Sequence, residues 1–111
     1  MKSKHILIQS EGLGTGDEQL GGLLIANFLR LLGEREDKPK AITFLNAGVK
    51  LVCEGSQVLE HIKKLESVGV EILACTTCLE YLDLVDKLSV GKPTTMARTI
   101  DAMLDGEFVA L

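Results

Sequence analysis

Two cysteines separated by two threonines are the residues of this chain best suited to chemistry: Cys75, Thr76, Thr77 and Cys78. They follow an apolar run that predicts a buried strand and precede residues at helical spacing, so the pair lies where a strand turns into a helix. A thiol in the first helical turn is close to unpaired backbone N–H groups and to the positive end of the helix dipole. Both favour the thiolate, which is the nucleophile in sulfur transfer and in disulfide exchange. The pattern predicts reactive thiols at Cys75 and Cys78, with Thr76 or Thr77 capping the helix; the alternative is that both cysteines are ordinary core residues.

The third cysteine, Cys53, has no neighbour in the sequence that would activate it, which favours a buried apolar role. It stays a candidate additional thiol because we expect it on the same side of the molecule as the pair. A single CxxC supplies two of the four ligands that a structural zinc site needs. Because neither His5 nor His61 is placed to complete such a site, we expect no metal and no cofactor.

A glycine-rich turn at residues 10–16 follows the first predicted strand. Its glycines lack the spacing of the dinucleotide-binding fingerprint, and no lysine follows as in a Walker A loop. Asp17 is the predicted N-cap of the next helix, and its carboxylate would repel a phosphate. We therefore expect Gly14, Thr15 and Asp17 to form a tight turn at the rim of the thiol site, where Asn46 arrives from the second strand.

Apolar runs and helical patterns alternate along the whole chain, with short loops between them. Strands are predicted at residues 6–8, 41–45, 70–75 and 108–111, with a further short strand around 89–91, while 49–53 is ambiguous. Helices are predicted to begin at Asp17, Ser56, Thr76 or Thr77, and Pro93. This alternation is typical of an α/β fold with a mostly parallel sheet covered on both faces. Ligands of such sheets bind outside the carboxyl ends of the strands, which selects residues 10–17, 46–56 and 75–78.

The apolar faces of the helices follow from the same spacing. The residues predicted to form them are Leu20, Leu23, Leu24, Phe28, Leu31 and Leu32 in the first helix, Leu79, Leu82, Val85 and Leu88 in the third, and Met96, Ile100, Met103 and Leu104 in the last. Gly21 and Gly22 weaken the first helix, so we expect them to mark a close approach to a neighbouring backbone.

Length and composition exclude several classes of protein. A chain of 111 residues has room for one domain, which we expect to span residues 1–111. A net charge of −4 argues against nucleic acid as the partner, because phosphate binding needs a basic face. No apolar run approaches the ~20 residues that cross a bilayer, and the run at residues 6–8 is too short for a signal peptide, so we expect a cytoplasmic protein without a membrane partner. The mean hydropathy of +0.23 predicts that another copy buries part of the apolar surface, as in a homo-oligomer.

Six segments of the chain follow the order of one known family. They are Gly14–Gly21, Asn46–Leu51, Glu54–Ser56, Leu65–Ile72, Cys75–Tyr81 and Val90–Gly91. Together they resemble the DsrE/DsrF-like sulfur-relay family, and in particular the YedF-type, sulfurtransferase-like selenium metabolism proteins. The resemblance covers nearly the whole chain. It implies a three-layer, flavodoxin-like fold with a five-stranded sheet, a homo-oligomer, and persulfide or selenium chemistry at the end of the third strand.

The same resemblance suggests roles for the two cysteines. Cys75 corresponds to the strand-end cysteine of the sulfur-relay members, and Cys78 to the second cysteine of the YedF-type motif. YedF-type proteins often carry a TusA-like domain whose cysteine precedes a proline. This sequence contains no Cys-Pro pair, so the resemblance is to a DsrE-like domain alone. Such a domain works with a separate partner, such as a TusA-like carrier, or is one part of a longer protein.

Three functions remain open on the sequence. The leading hypothesis is a sulfur carrier or sulfurtransferase-like protein that works with donor and acceptor proteins, its pocket lined by Gly14, Thr15, Asn46 and Thr76. The second is a CxxC disulfide oxidoreductase, although the usual aromatic–Gly–Pro context is missing between the cysteines. The third is a non-catalytic module that binds a small anion or a protein. The sequence leaves open whether the chain is an enzyme, and which cysteine is loaded first.

Overall fold

The computed structural model describes residues 4–111, which form a central sheet with helices on both sides. The strands are His5–Ile8 (β1), Ala41–Phe44 (β2), Glu71–Cys75 (β3), Lys92–Thr94 (β4) and Phe108–Ala110 (β5). The α-helices are Glu18–Glu34 (α1), Leu59–Ser67 (α2), Thr76–Tyr81 (α3) and Met96–Asp105 (α4). Two 3-10 helices, Asn46–Val52 and Val85–Lys87, complete the described elements. Within residues 4–111, no helix is both long enough and apolar enough to cross a membrane.

The five strands pair in the order β4-β3-β2-β1-β5, and every pair is parallel. From β1 to β4 each crossover moves one strand in the same direction, and the last crossover returns to the far side of β1. Because such crossovers are right-handed, α1, α2 and α3 cover one face of the sheet and α4 covers the other. The expected three-layer, flavodoxin-like α/β fold with five strands is confirmed, although its strand order differs from that of flavodoxin itself.

The main core lies between the sheet and the helices α1 and α2. Alternate strand residues face it, among them Ile8, Ile42, Phe44 and Ile72, and they meet Ile25, Leu29, Ile62 and Leu65 from the two helices. The opposite face is thinner. There Leu7, Ala41 and Thr43 are buried outside that core cluster, and Thr99 is the buried residue of α4.

Helix α1 presents a different face to the core from the one predicted. Its buried residues are Gly21, Ile25, Leu29 and Gly33, spaced four apart. The predicted face is mainly exposed, with Phe28 and Leu32 half-buried and Leu20, Leu23, Leu24 and Leu31 open to solvent.

The glycine-rich turn explains this rotation of α1. The N–H of Leu13 donates to the carbonyl oxygen of Gly21 at 3.0 Å. A Cβ on Gly12 would lie 3.0 Å from the carbonyl carbon of Gly21. Gly21 therefore makes the predicted close backbone approach, whereas Gly22 has no neighbour within 4 Å of its Cβ position. The helix must turn Gly21 toward the loop, which carries the leucines to the opposite side.

The third helix is shorter than predicted. It ends at Tyr81, and Asp83 adopts a left-handed conformation with φ of 58° that interrupts the helical path. Val85, expected on the inward face of this helix, is instead exposed in a 3-10 helix. Leu88 lies beyond both helices and is half-buried.

The fourth strand lies three residues further along the chain than predicted. It occupies Lys92–Thr94, and Pro93, which was expected to open a helix, lies in this edge strand. An edge strand tolerates proline because one side of it needs no ladder hydrogen bond. Thr95 caps α4 by accepting the N–H of Arg98 at 3.2 Å. The predicted apolar face of α4 is largely exposed at Met96, Ile100 and Leu104.

Two local predictions about helix starts have different outcomes. Asp17 is the N-cap of α1, as predicted, because its carboxylate accepts the N–H of Leu20 at 2.9 Å. Ser56 accepts the N–H of Val58 at 3.2 Å, but α2 begins only at Leu59, so Ser56 precedes the helix rather than capping it. The ambiguous residues 49–53 lie mainly in the first 3-10 helix.

Candidate functional site

Cys75 is both the last residue of β3 and the N-cap of α3. Its Sγ accepts the backbone N–H of Cys78 at 3.4 Å, and the residue is 3% exposed. The prediction that Thr76 or Thr77 caps this helix is therefore wrong, because the chain turns one residue earlier. Thr76 is the first helical residue, and its hydroxyl donates to the carbonyl oxygen of Thr94 at 2.9 Å. Thr77 follows it and is exposed.

Cys78 is the accessible thiol of the pair. It is half-buried, and its Sγ accepts the backbone N–H of Asn46 at 3.1 Å. Asn46 directly begins the 3-10 helix after β2 and has a φ of 51°, a left-handed conformation that asparagine adopts more readily than most residues. The carboxyl ends of β2 and β3 thus meet at Cys78, as the sheet topology requires.

Burial raises the pKa of the Cys78 thiol above the ordinary value of 9.0. A hydrogen bond with Cys75 and the charge of Cys75 raise this pKa further, while the N–H groups of Asn46 and of Cys78 itself lower it. The expectation that the start of the helix favours the thiolate is therefore wrong for Cys78. The reason is that the loss of water around the sulfur is the largest effect and outweighs the two N–H groups that favour the thiolate.

The glycine-rich turn lines a separate groove of about 560 Å³. Gly14, Thr15 and Asp17 lie in its wall with Ala47, the neighbour of Asn46. Asn46, Thr76 and both cysteines of the pair are not in this wall. The sequence predicted one pocket, but the groove and the thiol pair are separate. They are adjacent because Ala47 lies in the groove wall and its neighbour Asn46 contacts Cys78. Three carboxylates line the groove, those of Glu11, Asp17 and Glu18, so it does not favour an anion.

Cys53 lies in the lining of a different cavity of about 380 Å³, with Glu11, Lys50 and Ser56. The residue is buried, and burial raises the pKa of its thiol, with a further increase from the charge of Glu54. No described hydrogen bond joins Cys53 to Cys75 or Cys78, and all three are free cysteines. A protonated, buried Cys53 is a poor nucleophile.

Sequence reasoning did not identify Thr94. This residue is the last of β4, it is 3% exposed, and Cys75 is its partner in the register of the two strands. Pro93 argued against a strand at this position, so no local signal indicated the pairing. Within residues 4–111, no group of three or more His, Cys, Asp or Glu side chains is arranged to hold a metal ion.

Several solved structures are similar to this chain over nearly all of their length. A protein of unknown function, MTH1491 from Methanobacterium thermoautotrophicum, matches with a TM-score of 0.74 and 17% identity over 100% of both chains. The ychN protein from E. coli matches with a TM-score of 0.76 and 15% identity, again over 100% of both chains. BT1422 from Bacteroides thetaiotaomicron, a conserved protein of unknown function, matches with a TM-score of 0.67 and 18% identity over 98% of this chain and 95% of that one.

At these identities the similarity establishes the fold alone. No family model and no curated protein matches the sequence.

Proposed function

We propose that this protein is a sulfur carrier or sulfurtransferase-like protein that holds sulfane sulfur as a cysteine persulfide. The observation that carries the proposal is the arrangement of Cys75, Cys78 and Asn46. Two free thiols lie within one helical turn, and each Sγ accepts a backbone N–H, from Cys78 and from Asn46 respectively. Hydrogen bonds of this kind favour a sulfur anion, which is the form that gives and takes sulfur.

Cys78 is the thiol that meets the donor, because it is half-buried whereas Cys75 is almost completely enclosed. Its thiolate attacks the outer sulfur of a donor persulfide, the S–S bond of the donor breaks, and the donor leaves as a thiolate. Cys78 then carries the outer sulfur as a persulfide next to the N–H of Asn46. Because burial raises the pKa of Cys78, a base on the donor or in solvent must first take its proton.

Two routes discharge this persulfide. In transfer, the thiolate of an acceptor protein attacks the outer sulfur, and Cys78 leaves as the thiolate. In release, the Cys75 thiolate attacks the inner sulfur at Cys78, a Cys75–Cys78 disulfide forms, and hydrosulfide leaves with the outer sulfur. The second route leaves the pair oxidised, so a reducing thiol must restore it before the next cycle.

The sequence resemblance to DsrE-like and YedF-type proteins supports this chemistry and extends it to selenium, which undergoes the same displacement. The same resemblance suggests the partners, which are a sulfur donor protein and an acceptor such as a TusA-like carrier. We also propose that a second copy of the chain covers the leucines that α1 exposes, since that helix is apolar on opposite faces.

Persulfide mapping tests the proposed function. The reduced protein is treated with a polysulfide donor, blocked with iodoacetamide, and digested for mass spectrometry. We expect the wild type and Cys53→Ser, the matched control, to gain the mass of one sulfur atom in the peptide that contains Cys78. Cys78→Ser should lose this gain. The proposal is refuted if neither Cys75 nor Cys78 gains sulfur under conditions that load a known carrier protein.

A second candidate function is a disulfide oxidoreductase, favoured by the two free thiols that lie within one helical turn. It predicts reduction of insulin disulfides at neutral pH by the reduced protein, lost in Cys75→Ser. Sulfur loading without insulin reduction would support the carrier, and insulin reduction without sulfur loading would support the oxidoreductase.

A further inference from the structure

The hydroxyl of Thr94 is buried without a partner. Thr94 is 3% exposed, and its Oγ1 has no hydrogen-bond partner anywhere in residues 4–111. The carbonyl oxygen of the same residue is used, since it accepts the hydroxyl of Thr76 at 2.9 Å. Buried hydroxyl groups are nearly always paired in folded proteins, because burying one unpaired is unfavourable. The Thr94 hydroxyl is therefore a donor that no acceptor in residues 4–111 uses.

This hydroxyl belongs to the residue paired with Cys75. In the parallel register of β3 and β4, Cys75 pairs with Thr94 and Leu73 with Lys92. Paired residues of neighbouring strands lie about 4.8 Å apart and point to the same face of the sheet. Side chains two or four residues apart on a strand share a face, so Glu71 lies on the face of Cys75 and Lys92 on the face of Thr94. An ion pair joins Glu71 to Lys92 at 3.3 Å, which agrees with a common face for both strands.

The two residues also end their strands at the place where this sheet changes direction. The chain leaves β3 toward the face covered by α1, α2 and α3, and it leaves β4 toward the face covered by α4. Two neighbouring strands whose connections leave to opposite faces open a crevice outside their carboxyl ends, and α/β proteins bind ligands there. Cys75 and Thr94 are register partners at the carboxyl ends of these two strands.

We propose that Thr94 is a positioning residue whose hydroxyl, unpaired in this structure, turns to donate a hydrogen bond when a sulfur anion forms at Cys75. With the N–H of Cys78 at 3.4 Å, it gives the Cys75 thiolate a second donor. This proposal deepens the proposed function, because the Cys75 thiolate is the group that attacks Cys78 when the persulfide is discharged.

The test compares Thr94→Val, which removes the hydroxyl and keeps the shape, with Thr94→Ser, which keeps the hydroxyl. The rate of iodoacetamide alkylation is followed at each cysteine separately by mass spectrometry, across roughly pH 6 to 10. We expect Thr94→Val to slow alkylation of Cys75 about tenfold at neutral pH and to move its pH profile upward, since a hydrogen bond to a charged group is lost. Thr94→Ser should retain the wild-type profile, and Cys53 should react alike in all variants.

The matched control is Thr99→Val, because the Thr99 hydroxyl already donates to the Thr95 carbonyl oxygen at 3.0 Å. It should leave the Cys75 profile unchanged. A merely structural role for Thr94 would change the alkylation rate equally at every pH, through exposure of the thiol, and would not move the profile. An unchanged Cys75 profile in Thr94→Val, or a Thr94→Ser variant that behaves like Thr94→Val, overturns the proposal. Should Thr94→Val not fold, Thr94→Ala provides the same comparison.

The two proposals fail separately in these experiments. Alkylation requires no sulfur donor, so the role of Thr94 is decided even if no cysteine accepts sulfur. Conversely, if Cys78 accepts sulfur and the Thr94→Val profile is unchanged, the carrier function stands and the role of Thr94 is refuted. When both hold, Thr94→Val accepts sulfur normally and releases hydrosulfide about tenfold more slowly.

Discussion

Substituting alanine for Gly48 perturbs the segment that holds the N–H of Asn46 against Cys78. Gly48 lies two residues after Asn46 in the 3-10 helix and rests on the end of β1. A Cβ at this position would lie 2.4 Å from the carbonyl oxygen of Ile8, whereas real Cβ atoms essentially never approach closer than 3.0 Å. Either the 3-10 helix or the end of β1 must therefore move, by at least 3.0 − 2.4 = 0.6 Å in total.

The neighbouring backbone cannot absorb this movement without losing hydrogen bonds. The Ile8 oxygen accepts the N–H of Leu45 at 2.9 Å, and the N–H of Gly48 donates to the Leu45 oxygen at 2.9 Å. Overpacking of this kind costs about 1–3 kcal/mol, and we expect Gly48→Ala at the upper end because both contacting groups are backbone. We expect the shift to disturb the hydrogen bond between the Asn46 nitrogen and Cys78 Sγ, which now spans 3.1 Å.

Urea denaturation followed by circular dichroism measures the free energy of unfolding, since the chain has no Trp for fluorescence. The control is Gly22→Ala in α1, where an added Cβ meets nothing within 4 Å. It makes the same chemical change and should stabilise the helix by roughly 0.5–1 kcal/mol. The reasoning is refuted if Gly48→Ala unfolds at the wild-type urea concentration, or if both variants change stability equally.

Two further predictions concern the thiol pair and the surface of α1. The pKa of Cys78 is raised in the folded protein, so folding favours its neutral thiol. The free energy of unfolding should therefore decline as the pH rises above 9.0 toward the raised pKa. This decline should be smaller in Cys78→Ala. Cys75→Ala removes two causes of the increase and should speed alkylation of Cys78 at a fixed pH below 9.0, whereas an unchanged rate would contradict the assignment. The double variant Leu23→Lys with Leu31→Lys places charges on the exposed side of α1 and should convert an oligomer to a monomer in sedimentation experiments, with little change in monomer stability. A wild-type protein that is already monomeric at high concentration would refute the proposed contact.

Local patterns in the sequence were sufficient for the elements and for the class of fold. The continuous apolar runs at β1, β2 and β3 predict buried parallel strands, because strands covered on both faces have no polar side to alternate with. The Asp17 cap and the close approach of Gly21 are equally local, and the structure confirms both. The position of Cys75 and Cys78 at a strand-to-helix turn also follows from the sequence.

The rotation of α1 was not predictable from its own residues. Leucines lie on opposite sides of this helix, so its hydrophobic pattern favours no single face. The face that enters the core was decided by a contact outside the helix, the hydrogen bond between Leu13 and Gly21. Glycine at that position permits a backbone approach that a larger residue would block.

The chemical environment of the two thiols depends on tertiary structure for the same reason. The sequence determined that Cys75 and Cys78 lie at the carboxyl end of a strand, because that follows from the type of each successive element. Only the tertiary structure brought the N–H of Asn46, 32 residues away, to Cys78, and paired Thr94 with Cys75 through the register of β4. Strand register and burial are set by contacts between distant segments, and they decide which donors surround a sulfur atom and how much water it loses.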